Sequence, residues 1–369
     1  GSRGLLWLEP LVERADSRDG TRVGWSNVQA GDLSEGVLSE AAANFLGIVE
    51  ELDYLACQNR WIYERVGIID PVDPDDYVSH GGMAGLQRAL EMSPMSVVQA
   101  VTESGLRGRG GAGFPTGIKW QTVAEQAPVP HKGDPVDAPR HKYICVNADE
   151  GDSGTFADRM LMEGDPFCLL EGMAIAAHAV GADRGMIYLR SEYPAAIAVM
   201  SDAIEKARAR GWLGEGILGS SCNFDVTIRV GAGSYVCGEE TAMLESLEGR
   251  RGTVRAKPPL PAIEGLFGTP TVINNVLTIA SVPSILARGP EAYAELGQER
   301  SRGTQVFQLA GNIARGGIVE VAFGISAHEL IFGLGQGTKS GRPLKAVQVG
   351  GPLGAYLTAD ALQVPMAYE

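Results

Sequence analysis

The chain has 369 residues, with 45 acidic residues against 31 lysines and arginines, a formal charge of −14 and a pI near 4.9, so a nucleic-acid-binding surface is not expected. Hydrophobic residues at 44% and charged residues at 21% describe an ordinary globular protein with core enough for two or three domains. The most apolar run, Phe167 to Val180, is broken by Glu171 and His178, which argues against a membrane span; with no signal peptide at the start, a cytoplasmic location is expected.

Five scattered cysteines (Cys57, Cys145, Cys168, Cys222 and Cys237) contain no CxxC pair, so buried free thiols are expected and no metal site in this chain. The five histidines show no metal spacing either. Forty-nine glycines are more than an ordinary share, and their place in the chain becomes the useful question.

Residues 1–40 read as a hairpin and a helix: an apolar stretch from Leu5 to Val12, a second at Arg22 to Trp25, then a polar helix-like stretch from Asp32. Residues 41–88 look like a linker and entry segment, with Pro71 and Pro74 in an acidic run. Ser93 and Pro94 then start a helix with apolar Met95, Val98 and Val101, which Gly105 ends. A concentration of glycines follows immediately, from Gly105 to Gly117, and residues 124–142 look like a surface loop.

From 143 to 250 strand and helix patterns alternate, the signature of an α/β parallel sheet covered by helices. Strands are expected at Tyr143 to Val146, Met186 to Leu189 and Asp225 to Val230. Helices are expected from Asp165-Pro166 to Gly181, from Pro194 to Arg210, and from Glu239. Beyond residue 300, Gln305 to Ala310 and Ile318 to Ala322 form a hairpin pattern, Ser326 and Glu329 a capping box, and Leu344 to Val349 a strand. That order suits a small β-grasp domain at 300–369, after a ligand-binding domain at 89–299.

Three segments carry residue types suited to a cofactor. Gly105 to Trp120 includes Gly108, Gly110, Gly111 and Gly113, whose backbone can approach phosphate oxygens, with Arg109 and Lys119 as cations. A GxGxxG spacing is present, but it follows a helix instead of a strand, so the ordinary dinucleotide fingerprint fails and a plain glycine loop stays open. Asn147, Asp149 and Glu150 follow a strand, where open α/β sheets bind ligands; an Asx turn explains them equally. Gly231 to Thr241 repeats strand, glycine loop and helix, and Glu239 and Glu240 suit either ribose hydroxyls or the helix dipole. Lys257-Pro-Pro-Leu-Pro261 is a stiff stretch with a cation, and Thr271-Val-Ile-Asn-Asn275 reads as a polar turn.

In this order the segments resemble the FMN- and NADH-binding subunit of respiratory complex I and its relatives in soluble NAD-linked hydrogenases and formate dehydrogenases. The likeness runs from about Pro71 to Glu369. Asn147-Ala-Asp-Glu-Gly-Asp-Ser-Gly-Thr-Phe-Ala-Asp-Arg159 with Met162-Glu-Gly-Asp-Pro-Phe167 looks most like the beta subunit of molybdenum-dependent, NAD-dependent formate dehydrogenase.

The resemblance implies a Rossmann-like domain binding FMN and NAD, a β-grasp domain, and a thioredoxin-like remnant at 1–40. It implies that Gly108 to Gly113 with Lys119 line the FMN and nucleotide site, and that Asn147, Asp149 and Glu150 hold the flavin. Tyr235, Gly238, Glu239 and Glu240 would line the shared cavity, Asn274 and Asn275 the phosphate end of FMN, and Phe114 and Lys257 would contact NAD. Asp152 stands where complex I subunits have Glu near the nicotinamide, and Thr122 and Leu260 stand where they have adenine-stacking phenylalanines. Relatives continue into a helical bundle with a [4Fe-4S] cluster, so a chain truncated at both ends is expected. Expected partners are a thioredoxin-like iron–sulfur subunit and a molybdenum and iron–sulfur catalytic subunit. No catalytic side chain is required, because the flavin carries the chemistry. A hydrogenase or complex I assembly is the first alternative, and a scaffold that has lost flavin the second.

Overall fold

A computed structural model of the chain describes residues 2–15, 21–34 and 38–369. At the start, β1 (Val12–Ala15), β2 (Arg22–Trp25) and β3 (Phe45–Ile48) form an antiparallel sheet in that order. The helix expected from Asp32 is present as α1 (Ala30–Ser34), and residues 35–37 lie outside the described residues.

Residues 41–88 are not the linker their sequence implied. Besides β3 they supply Trp61, Ile62, Tyr63, Val66, Tyr77 and Leu86 to the main core. The proline and acids that looked like a linker are helix-start signals: Pro74 opens α2 (Pro74–Ser79), and Asp73 accepts from the Asp75 N–H at 2.9 Å. Next come α3 (Ala84–Glu91) and α4 (Pro94–Glu103), the latter capped by Ser93 and ended at Gly105 with φ +68°. The glycine segment leads into α5 (Thr116–Ala124), which has no counterpart among the expected elements.

The central sheet is built from β4 (Tyr143–Ala148), β5 (Arg184–Leu189), β6 (Asp225–Val230) and β7 (Thr271–Asn275), all parallel, in the spatial order β6-β5-β4-β7. Between them run α6 (Ala157–Gly164), α7 (Pro166–Val180), α8 (Pro194–Ala209) and α9 (Glu240–Leu247). The segment taken for a polar turn at 271–275 is thus a core strand; its two terminal asparagines hid the apolar Val272 and Ile273. Helix α7 is buried along almost its whole length, as its continuous apolar sequence requires. It lies so close to α10 (Val276–Ala280) that a Cβ on Gly172 would fall 2.4 Å from the Ile279 carbonyl. Helix α11 (Val282–Arg288) completes the layer.

The C-terminal part departs from the β-grasp expectation. β8 (Thr304–Leu309) and β9 (Gly317–Ala322) form the expected hairpin, but β10 (Ala346–Val349) pairs with β11 (Ala355–Thr358) as a separate ribbon. The outer edge of β9 is already used: Ile318 N–H donates to Gly4 O and Asn59 N–H to Glu320 O, both at 2.9 Å. A third strand has no edge to join there. The helix expected after Ser326 is a π-helical turn at Glu329–Leu334, with Ser326 Oγ accepting from Glu329 N–H at 3.0 Å. Of the five free cysteines, Cys145, Cys168 and Cys237 are buried, whereas Cys57 is exposed.

Candidate cofactor site

The strand order fixes where a crevice opens. From β4 the chain builds outward through β5 to β6, then returns across β4 to add β7 on its other side. At such a reversal the connections leave in opposite directions, and the carboxyl ends of the two strands gape. Asn147 of β4 and Asn275 of β7 are register partners at that gap.

The first glycine loop closes over it. Gly108 N–H donates to Phe114 O and Thr116 N–H to Leu106 O, each at 2.9 Å, so 108–114 is a closed tongue. At its tip Gly110 and Gly111 are exposed, and Gly111 and Gly113 take φ of +102° and +60°. A Cβ on Gly110 would lie 3.1 Å from that of Asn275, which places the tongue against the end of β7. Phe114 is half exposed beside it.

Arg109 does not supply the phosphate-facing charge expected of it. Its guanidinium is buried, donating to Tyr293 Oη at 2.6 Å, Arg302 O at 2.9 Å and Arg107 O at 2.8 Å. It anchors the tongue from within, a direction no spacing could reveal. Glu150 likewise turns away from the crevice. Its carboxylate accepts from the N–H groups of Ala157 (2.7 Å) and Arg159 (3.3 Å) and from Tyr193 Oη (3.1 Å), serving the exposed donors at the start of α6. Burial raises its pKa against those hydrogen bonds.

Asn147 and Asp149 lie at the carboxyl end of β4 and turn toward the second glycine loop. Asn147 Nδ2 donates to Gly238 O at 2.8 Å, tying the second glycine loop to β4, and its Oδ1 accepts from Asp149 N–H at 3.1 Å in the Asx turn considered from sequence. Tyr235, 62% exposed, donates to Asp152 Oδ1 at 2.8 Å, so these two expected residues stand together at the rim.

A four-charge cluster forms the other wall. Lys257 Nζ lies 2.6 Å from Glu240 and 3.3 Å from Glu239, and Lys119 Nζ lies 3.6 Å from Glu240 while donating to Ile273 O at 2.8 Å. Burial lowers the Lys119 pKa, with Glu240 working against it; burial would lower that of Lys257, but the two glutamates outweigh it. Glu239 is also the N-cap of α9, accepting from Thr241 N–H at 2.8 Å and Ala242 N–H at 2.9 Å, so its helix-dipole reading is realised.

Asn274 is buried and accepts from Trp120 Nε1 at 3.0 Å, locking α5 to β7. Asn275 donates to both carboxylate oxygens of Asp158, at 3.0 and 2.9 Å, and caps α10 through Leu277 N–H at 2.9 Å. Asp158 was not singled out in the sequence. It is buried, and burial with Glu150 nearby pushes its pKa well up. Thr278, which accepts from Arg109 N–H at 2.9 Å, is a second support missed.

The residues fit a flavin nucleotide on one specific count. Asp149 Oδ2 is buried just past the end of β4 and has no hydrogen-bond partner in the protein, an unmet acceptor beside the second glycine loop. Burial correspondingly raises the Asp149 pKa, with Arg190 opposing. Among the described residues no His, Cys, Asp or Glu cluster could hold a metal ion, and no helix is long and apolar enough to cross a membrane.

The family described as the Nuo51 FMN-binding domain matches residues 101–284. The chain is 48% identical to the NADP-reducing hydrogenase subunit HndC of Solidesulfovibrio fructosivorans, over 85% of this chain and 61% of that protein. It is also 48% identical to an NADH-quinone oxidoreductase subunit of Rhizobium meliloti, over 79% and 67% respectively. The crystal structure of an NAD+-reducing [NiFe]-hydrogenase in the H2-reduced state superposes with a TM-score of 0.69 at 30% identity, covering 94% of this chain and 55% of that one. The chain therefore spans between about half and two thirds of the length of these relatives. On sequence and on the parallel four-stranded sheet alike, it belongs to the family of NADH-quinone oxidoreductase subunits that carry the Nuo51 FMN-binding domain, with that domain at its centre.

Proposed function

We propose that the chain is a diaphorase module that passes hydride between NAD(H) and FMN and exchanges single electrons with iron–sulfur clusters. The observations that support this reading are the unpartnered, buried Asp149 Oδ2 just past the end of β4, beside Gly238 of the second glycine loop, and the first glycine loop resting on Asn275 at the end of β7. When bound, FMN supplies the redox chemistry. The protein's share is placement: Gly110 and Gly111 offer close backbone approach, Asp149 accepts a hydrogen bond, and Asn147 fixes the second loop. Phe114, Tyr235, Asp152 and Lys257 would contact the nicotinamide nucleotide, a reading supported by the exposure of Phe114 and Tyr235.

Glu240 is the residue to discriminate NAD from NADP. Both neighbouring lysines already pair with it, so its neutralisation exposes two cations to a 2′-phosphate. Glu240→Gln is expected to improve use of NADPH about tenfold relative to NADH, a change of the order of one charged contact. The relative named as NADP-reducing makes the comparison worth measuring in both nucleotides.

Flavin-fluorescence quenching by the purified chain, followed by NADH-dependent ferricyanide reduction, tests the module. Neither binding nor dye reduction would make it a scaffold instead. The assembly proposed is an NAD-dependent formate dehydrogenase with a thioredoxin-like iron–sulfur subunit and a molybdenum-containing subunit, on the strength of the motifs at 147–159 and 162–167. Purifying the native complex and assaying it with formate and with hydrogen decides this. Activity with hydrogen alone, or a quinone-linked assembly, overturns formate but not the diaphorase.

A further inference from the structure

Residues 362–369 lead from the segment 324–328 to the glycine tongue. From Leu362 to Met366 the chain pairs with residues 324–328: His328 N–H donates to Leu362 O (2.8 Å), Ala327 N–H to Val364 O (3.1 Å), and Met366 N–H to Ile325 O (2.8 Å). Two residues later Tyr368 passes under the tongue. Its hydroxyl donates to Gly108 O at 2.7 Å, and its ring occupies the space a Cβ on Gly113 would take, 2.8 Å from that position.

Arg107 completes the contact. Its guanidinium stacks on the Tyr368 ring, 4.5 Å from the centroid, while Nε donates to Gly113 O at 2.5 Å. Glu369 holds the other side of Arg107 at 3.1 Å, and Ser301 Oγ links the pair by accepting from Tyr368 N–H (2.9 Å) and donating to Glu369 (2.5 Å). The peptide joining Gly108 to Arg109 is therefore pinned at both ends, its carbonyl by Tyr368 and its N–H by Thr278 at 2.9 Å. With that plane held at one end and the Gly113 carbonyl held by Arg107 at the other, the glycines between span a loop with fixed ends.

We propose that Tyr368, acting with Arg107, is a positioning residue for the cofactor tongue: a brace that fixes the Gly108–Arg109 peptide and the Gly113 carbonyl and couples them to the segment 362–366, which is hydrogen-bonded to 324–328. The proposal rests on reading the tongue as the FMN cradle. Because both end carbonyls are held from below, the tongue is preorganised before any ligand arrives, and the ordering cost that a free glycine loop would meet on binding is already met in the fold.

Tyr368→Phe is the test, since it keeps the ring and removes only the hydroxyl; Arg107→Lys is its companion, keeping charge but losing the fork. Expected are a roughly fivefold weaker FMN affinity, as for one lost neutral hydrogen bond, and faster amide exchange confined to residues 109–114. The thermal midpoint and the NADH KM should stay put, and saturating FMN should restore kcat. Unchanged affinity and unchanged exchange in Tyr368→Phe overturn the brace, as does loosening spread across 300–369 with a lowered midpoint. If the wild type binds no FMN while Tyr368→Phe still shows the confined exchange change, the cofactor reading is overturned and the brace stands as a property of the loop.

Discussion

Two glycine loops flank the same crevice and are held in very different ways. The first, 108–113, is fixed from beneath by Tyr368, Arg107, Arg109 and Thr278. The second, 231–238, is anchored at its ends by Gly231 N–H to Leu189 O, by Asn147 to Gly238 O and by the buried Cys237, and between them its Tyr235 leans out to Asp152 with most of its ring in solvent. The proposed function asks for such an asymmetry: a rigid cradle for a resident flavin and a more open rim for a nucleotide that comes and goes.

The sharpest way to break the contrast is Gly113→Val. The substitution meets both a left-handed φ of +60° and the Tyr368 ring 2.8 Å away. Together these penalties come to about 3 kcal/mol, roughly a hundredfold in FMN affinity by fluorescence titration. An unaffected affinity would mean the first loop is no more rigid than the second.

Asp165 separates the loops from the scaffold that carries them. Its buried carboxyl is pushed up from 3.8 to about 6, burial outweighing Arg65. Folding therefore binds a proton here: the group's stabilisation is complete below pH 3.8 and is lost as pH rises through about 6. Asp165→Asn should flatten denaturant midpoints between about pH 4 and 6, by an amount on the order of 2 kcal/mol, and leave both ligand affinities alone. A change in FMN affinity would trace the loop contrast to global stability.

Asp149→Ala is next, removing the unpartnered acceptor; a drop of roughly tenfold in FMN affinity with an unchanged midpoint is expected. The smallest effect is expected of Tyr235→Phe, at the adaptable rim. Losing its bond to Asp152 should change the NADH KM by about twofold and FMN affinity not at all.

Much of the scaffold was legible because its signals are local. Ser93-Pro94, Asp165-Pro166 with Gly181, and the alternation at 225–230 specify their elements without help from the rest of the chain. β7 was not legible: Thr271–Asn275 is a strand because it fits beside β4, and two asparagines at its end look like a turn until that register is known. The β-grasp expectation failed for a related reason, since the edge of β9 was committed to Gly4 and Asn59, far away in sequence.

At the site, residue types were readable but directions were not. Lys119, Glu239, Glu240 and Lys257 were all marked, yet only the fold shows that they neutralise one another. Arg109 and Glu150 carry the right charge for a nucleotide site and spend it on Tyr293 and on the start of α6. Asp158 sits inside the quoted 147–159 motif but was not singled out, because a carboxylate in an amphipathic helix usually faces water.

One carboxylate bears on how this chain could be cut or recombined. Glu320 of β9 is fully buried and accepts from Ile62 N–H at 2.9 Å, Tyr63 N–H at 3.0 Å and Thr304 Oγ1 at 2.5 Å. A seam drawn near residue 300 would leave that charge without two of its donors and those donors without their acceptor. The region before the sheet and the hairpin after it are thus interlocked parts of one heritable unit, and exchange between relatives should respect residues 59–63 and 304–322 as a single block.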